Sequence, residues 1–385
     1  MMKVYLDNHS TTQVDPNVFE AMKPYFLEKY GNASSKAHSF GWEAESAVEY
    51  AKEMISSFLG CESDEIIFTS GATESINIAH FGAAQELYSK GNHIVTTVSE
   101  HSAVLGSLKL LEKKGFEITI LPLNKEGLVD PDRLKDALTD KTILVSVMTA
   151  NNVIGTVNDV YEIGKICKQR NIVFHTDATQ AIGRLKLNFN EMNADMLSFS
   201  SHKIYGPKGV GVLIVKKKLN LAPIMYGGGQ QKGLRPGTFN TPGIVGTGKA
   251  IEIFSKGMEA EIKRLRTLRD KMLFDISANL ESVKLNGSKQ CRLPNNLNFC
   301  FSGVRSENII NELRDVALSS GSACASETLK PDRSLKAIGL SDEEAYSSIR
   351  IGIGRFNTLE EIDYASKRII ETVEKLRTQS PIKSN

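Results

Sequence analysis

Lys203 closes the run Ser200-Ser201-His202-Lys203, and Asp177 stands 26 residues earlier in His175-Thr176-Asp177-Ala178-Thr179-Gln180. An acid at the end of one apolar run and a lysine at the end of the next meet the two demands of a pyridoxal phosphate site. A lysine amine must bond the cofactor's aldehyde, and a carboxylate must keep its ring nitrogen protonated so that the ring can take up carbanion electrons. Taken alone, the pair reads more readily as two surface charges.

The neighbouring runs add compatible groups. In open α/β sheets ligands collect beyond the carboxyl ends of the strands. Thr69-Ser70-Gly71-Ala72-Thr73 turns sharply at glycine into a helix whose first amides, on Ala72 and Thr73, suit a phosphate; a capped helix start is also commonplace. His101 follows another apolar run and reads as a ring to stack on the cofactor or as a helix cap. Asn152, in the pair Asn151-Asn152, could address the cofactor's phenolic oxygen or form an ordinary turn. Gln180 follows Asp177, and Ser200 and His202 precede Lys203. Further on, Arg350 alternates with Ile349, Ile351 and Ile353, so its guanidinium lies on the opposite face of a strand, suited to a substrate carboxylate or to a structural salt bridge. Cys324 lies in the small-residue tract Ser319-Ser320-Gly321-Ser322-Ala323-Cys324-Ala325-Ser326, which predicts an exposed, mobile loop. A thiol there could attack a bound substrate and carry the product away; it could also be an incidental surface cysteine. Cys300 and Cys167 fall in strand and helix patterns and read as core residues.

The elements that must position these groups alternate. Strands are predicted at 65–69, 93–98, 143–147, 172–176, 196–199 and 211–215, with helical patterns between them, which is the signature of a mostly parallel sheet covered by helices. Residues 43–59 form an amphipathic helix stopped by Gly60. A long charged pattern from about 248 to 280 predicts a connecting helix. Beyond it the order is mixed, with strands at 297–301 and 348–353 and a last helix opened by Thr358 and Glu361 at capping-box spacing. The division expected is a large domain over 15–255 and a smaller α+β domain built from 1–14 and 256–385.

At 385 residues, with 47 basic against 45 acidic side chains, the chain is large enough for two domains and too balanced for a nucleic acid or an anionic membrane as main partner. It has no apolar run of membrane-spanning length and no apolar signal segment at its start, so a cytoplasmic protein is expected. Five scattered cysteines without a CxxC pair indicate neither a disulfide framework nor a structural zinc site.

With these motifs, together with Tyr5-Leu6-Asp7-Asn8, Thr11-Thr12, Gly227-Gly228-Gly229 and Arg235-Pro236-Gly237-Thr238, nearly the whole chain resembles the cysteine desulfurases. These are class V members of the fold-type I pyridoxal phosphate enzymes, and the likeness is to the housekeeping and nitrogen-fixation type. The resemblance implies a seven-stranded, mostly parallel sheet plus a small domain, and a homodimer in which Thr238 serves the partner's phosphate site. It implies that Lys203 holds the cofactor and moves the substrate's α-proton, Asp177 pairs with the ring nitrogen and His101 stacks on the ring. Gln180 and Asn152 would address the phenolic oxygen and the substrate side. Ala72, Thr73, Ser200, His202 and Thr238 would hold the phosphate, and Arg350 the carboxylate of L-cysteine. Cys324 would take the sulfur as a persulfide, leaving alanine, and pass it to an acceptor such as an iron-sulfur scaffold or a tRNA-thiolation carrier. The chain departs from the family at Val153, usually glutamate, at Thr149, usually a ring, and at Pro236, usually serine. A selenocysteine lyase or other class V aminotransferase, or a catalytically silent relative, remains an alternative; an aminotransferase needs no loop thiol.

Overall fold

The structure, a computed structural model, describes residues 2–320 and 330–379; Cys324 lies outside the described residues. In chain order the strands are β1 (Val4–Tyr5), β2 (Ile66–Thr69), β3 (His93–Thr97), β4 (Glu117–Leu121), β5 (Thr142–Ser146), β6 (Val173–Asp177), β7 (Met196–Ser200), β8 (Gly211–Val215), β9 (Val283–Leu285), β10 (Asn296–Phe301), β11 (Val316–Ala317) and β12 (Ser348–Gly352). Seven of them form one sheet in the order β2-β8-β7-β6-β5-β3-β4. Strands β3 to β7 run parallel, whereas β8 is antiparallel to both β7 and β2. Every residue of β3, β5, β7 and β8 is buried. Strands covered on both faces read as unbroken apolar runs, which is why these were visible in the sequence. Strand β4 was not foreseen; it is an edge strand in which only Leu121 is fully buried, so it carries no continuous apolar run.

The helix Ser39–Leu59 ends where Gly60 adopts φ 66°, as the glycine stop predicts. The connecting helix starts earlier than expected, at Thr241, and runs 39 residues to Asn279. Its small residues Gly243, Gly246 and Gly248 hide the first turns from a hydropathy reading. A Cβ at Gly248 would come within 2.8 Å of Ala51, so glycine lets this helix pack against Ser39–Leu59. Ile244, Ala250, Ile251 and Phe254 enter the core under the large sheet. Further along the same helix, Leu265, Leu268, Met272 and Ile276 enter a second core with Leu297, Phe299, Ile349 and Ile351. That core lies on the antiparallel sheet β12-β10-β9. Val4 and Leu6 from the chain start join it, and β1 pairs with β11. The capping box at Thr358 and Glu361 forms as expected, each backbone N–H donating to the other's side chain at 3.1 and 3.2 Å. No helix among the described residues is long and apolar enough to cross a membrane.

Candidate active site

A cavity of about 490 Å3 opens at the carboxyl ends of the parallel strands. Its lining includes Lys203, Asp177, His101, Gln180, Asn152, Ala72, Thr73, Ser200, His202 and Arg350. Ten of the expected positions therefore meet around one space. Thr238 does not line it; that residue is exposed, on the segment after the turn at Gln230–Gly233. Side-chain bonds tie this segment to the sheet edge: Gln231 accepts from Phe68 N and donates to Phe68 O, and Arg235 Nε donates to Glu74 Oε1 at 2.8 Å.

Each group is placed by its strand end. Asp177 closes β6 and is 6% exposed; Oδ1 accepts from Thr179 N at 2.9 Å, which orients the carboxylate. Gly71 is extended, and the helix Ala72–Glu86 begins with Ser75 N donating back to Gly71 O. The amides before Ser75 have no partner within the helix and form its anion-binding end. His202 Nδ1 meets Thr11 Oγ1 at 3.0 Å. Burial first, then the charges of Lys203 and Lys208, push its pKa down to about 4, so the ring is neutral at physiological pH. His101 caps the helix Ser102–Lys113, its Nδ1 accepting from Ala103 N. The ring is at once helix cap and cavity wall. Burial lowers its pKa, against the pull of Asp177.

Lys203 Nζ donates to the backbone oxygens of His9 and Ser10. Gln180 Nε2 also donates to His9 O, at 3.0 Å, which turns Oε1 toward His9 Nδ1 at 2.8 Å. Residues 9–11 thus form a wall that the sequence reading did not single out as a site. The signal was there as a run of polar residues, Asn8 to Thr12, too long for a turn and too polar for a core strand. Asn151 builds the turn, with Oδ1 accepting from Val153 N and Ile154 N. Its neighbour Asn152 is left to line the cavity and accepts from Arg350 Nη1 through its backbone oxygen.

Both ends of the segment that carries Cys324 are anchored beside the cavity. Ser319 exchanges backbone hydrogen bonds with Arg350. Past the segment, Ser334 Oγ accepts from Asn151 Nδ2 at 3.1 Å. Val153, the departure from glutamate, joins Ile154, Leu335, Ile338 and Leu340 in a small apolar cluster that seats the helix after the segment. Thr149, another departure, lies just past the end of β5 and pairs with Thr176 of β6 at 2.8 Å, both buried.

Glu100 is buried behind the cavity; Oε1 accepts from Thr97 Oγ1 and Met148 N, and Oε2 has no partner. Burial raises its pKa from 4.5 to about 8. Between those values the folded chain keeps a proton that the unfolded chain releases, so the stability this group confers is full below about 4.5 and lost as pH rises toward 8. His9 and His80 have the opposite sign. Burial depresses both from 6.5 to about 3, so their contribution is full above 6.5 and lost as pH falls toward 3. Glu100→Gln is therefore expected to hold its melting temperature between about pH 6 and about pH 9 better than the parent does. Parallel melting curves across that range would mean that Glu100 does not titrate there.

Comparison with known proteins fits this geometry. The family model described as aminotransferase class-V matches residues 4–365. "Cysteine desulfurase IscS" of Rickettsia typhi is 50% identical over 383 residues, covering 99% of this chain and 93% of that one. The protein of the same name from Rickettsia bellii is 49% identical over 384 residues, covering 99% and 94%. Among solved structures, a "NifS-like protein" superposes with TM-score 0.91 at 36% identity, covering 97% of this chain and all of the other. A structure described as "SspA in complex with cysteine" matches with TM-score 0.83 at 35% identity, covering 92% of this chain and 100% of that one. The chain belongs to the class-V aminotransferase family and, within it, to the cysteine desulfurases.

Proposed function

We propose that this chain binds pyridoxal phosphate at Lys203 and converts L-cysteine to L-alanine, with the sulfur leaving as a persulfide on Cys324. The observation that carries the reading is the convergence of Lys203, Asp177, His101, the Ala72–Thr73 helix start and Arg350 on one cavity. The donor set fits the cofactor: an amine for its aldehyde, a buried carboxylate for its ring nitrogen and an amide-rich helix end for its phosphate. When bound, the cofactor supplies an electron sink for the carbanion formed at the substrate's Cα.

The protein's share of the work follows from its own groups. Asp177, held by Thr179 N, would keep the ring nitrogen protonated, and His101, whose pKa burial lowers, would stack on the cofactor ring. Ala72 and Thr73 amides, the Ser200 hydroxyl, the His202 ring and Thr238 of the partner subunit hold the phosphate. Gln180 keeps one amide hydrogen for the phenolic oxygen, because its other donates to His9 O. Asn152 and Arg350 receive the amino acid, Arg350 through its carboxylate. Lys203, once released, lies against the carbonyls of residues 9 and 10 and moves the proton at Cα. The Cys324 thiolate would then attack the substrate's sulfur, forming the S–S bond as the substrate's Cβ–S bond breaks; the electron pair stays with the carbon side, which takes up a proton to become alanine. The described residues on either side of its segment, Ser319 and Ser334, bond to Arg350 and Asn151.

A homodimer is supported by the exposed large side chains Phe19, Phe26, Leu27, Tyr30, Phe40 and Trp42, close in sequence and too apolar for a free surface. The exposure of Thr238 fits its service to a second copy. We divide the chain into a large domain over 15–255 and a small domain over 1–14 and 256–385, because the connecting helix changes cores past Phe254. The persulfide would pass to a protein acceptor, an iron-sulfur scaffold or a tRNA-thiolation carrier, in the cytoplasm.

The test is to purify the protein with pyridoxal phosphate present, record its visible absorbance and assay alanine and sulfide from L-cysteine with an added dithiol, which reduces the persulfide and releases its outer sulfur as sulfide. Cofactor absorbance with equal amounts of both products is expected. A colourless protein, or alanine without sulfur release, would overturn the proposal.

A further inference from the structure

Arg350 reaches the cavity already occupied. Its side chain is 3% exposed, and Nη2 donates to Asp7 Oδ1 at 2.8 Å and to Ser10 Oγ at 2.6 Å. Nη1 donates to Asn152 O at 3.2 Å, and the buried Nε–H has no partner. A guanidinium grips a carboxylate bidentately by offering two parallel N–H groups. Both Nη2 hydrogens are committed here, so neither the fork made with Nη1 nor the one made with Nε is open to a second carboxylate. Asp7 also puts a negative charge at hydrogen-bond distance from the cation, where its side chain is only 19% exposed and screening by water is weak. The chain start fixes it there: Gly352 N donates to Leu6 O, and Asp7 bridges to Gly352 beside Arg350 on β12.

We infer that Asp7 is a specificity-determining residue, an internal carboxylate that competes with the substrate's own for Arg350. A ligand that brings only a carboxylate must displace Asp7 and gains nothing else. An α-amino acid can offset that displacement through its amine, which engages the cofactor that we place at Lys203. Asp7 thereby excludes simple organic acids from a site built around a buried cation, and it acts through Arg350 without itself touching the substrate. This inference rests on the function proposed above.

The test measures propionate, a carboxylate with no amine, binding by calorimetry to the cofactor-loaded enzyme and to its Asp7→Asn and Ser10→Ala variants. Asp7→Asn keeps the size of the side chain and removes its charge. It is expected to tighten propionate binding by at least about tenfold, the scale of one charge-assisted hydrogen bond. Ser10→Ala frees one Nη2 hydrogen and leaves the charge in place, so it should tighten binding by a smaller factor; it also serves as the test if Asp7→Asn does not fold. L-Alanine affinity should change less than propionate affinity in either variant. If Asp7 only braces Arg350, both variants bind propionate more weakly, and that result, or no change, overturns the inference. Failure of the parent enzyme to release sulfide from L-cysteine would instead sink the proposed function.

Discussion

Replacing Lys203 by alanine is expected to lower sulfide release from L-cysteine by about a thousandfold or more, since it removes the cofactor's anchor and the group that moves the Cα proton. The effect should be among the largest that any single side chain can produce here. Nζ lies against the carbonyls of His9 and Ser10, a wall that holds a cation in place when the lysine is free. No other lysine described in the cavity sits at a strand end: Lys208, the other one in its lining, follows the turn at Gly206 and Pro207. The measurement is paired, visible absorbance for the attached cofactor and sulfide for turnover. A variant that keeps both would remove Lys203 from the mechanism.

Cys324→Ser is the second large expectation, and it separates chemistry from binding. The fold should be intact, because the described segments on either side are held by their own bonds, Ser319 to Arg350 and Ser334 to Asn151. Cofactor absorbance should therefore persist while sulfide release falls on the order of a thousandfold, because serine oxygen does not attack the substrate's sulfur to form a persulfide. Retained sulfide release would show that the acceptor is another nucleophile. Cys167 and Cys300 are buried, and burial raises the pKa of both thiols, so neither competes for the role.

How far the sequence could be read follows from where each signal is stored. Strands buried on both faces announce themselves as apolar runs, and their ends deliver Asp177, Lys203 and the helix start at Ala72 at predictable places. Strand β4, exposed at the edge, has no such run. The N-terminal wall of His9, Ser10 and Thr11 shows in the sequence only as a polar run, with nothing to say what it faces. Its work is done by backbone oxygens and a polar stretch, and periodicity does not report where a loop lies. Arg350 shows the same limit within one residue. Alternation with three isoleucines placed its guanidinium on the opposite face and allowed a carboxylate site or a salt bridge; the fold shows the salt bridge, to Asp7, at the edge of the cavity that the other reading needs. Only the tertiary structure brings Asp7 to it, from the other end of the chain. Val153 and Thr149, which stood out as departures, are accounted for by packing and by a buried hydroxyl pair.

The measurement that bears most directly on the central claim is to incubate the cofactor-loaded protein with L-cysteine and locate the added sulfur by intact and peptide mass. One sulfur atom on the peptide that carries Cys324, absent when Lys203 is replaced by alanine, is the result expected. Sulfur on Cys61 or Cys291, or on Cys324 without any need for Lys203, would contradict the account.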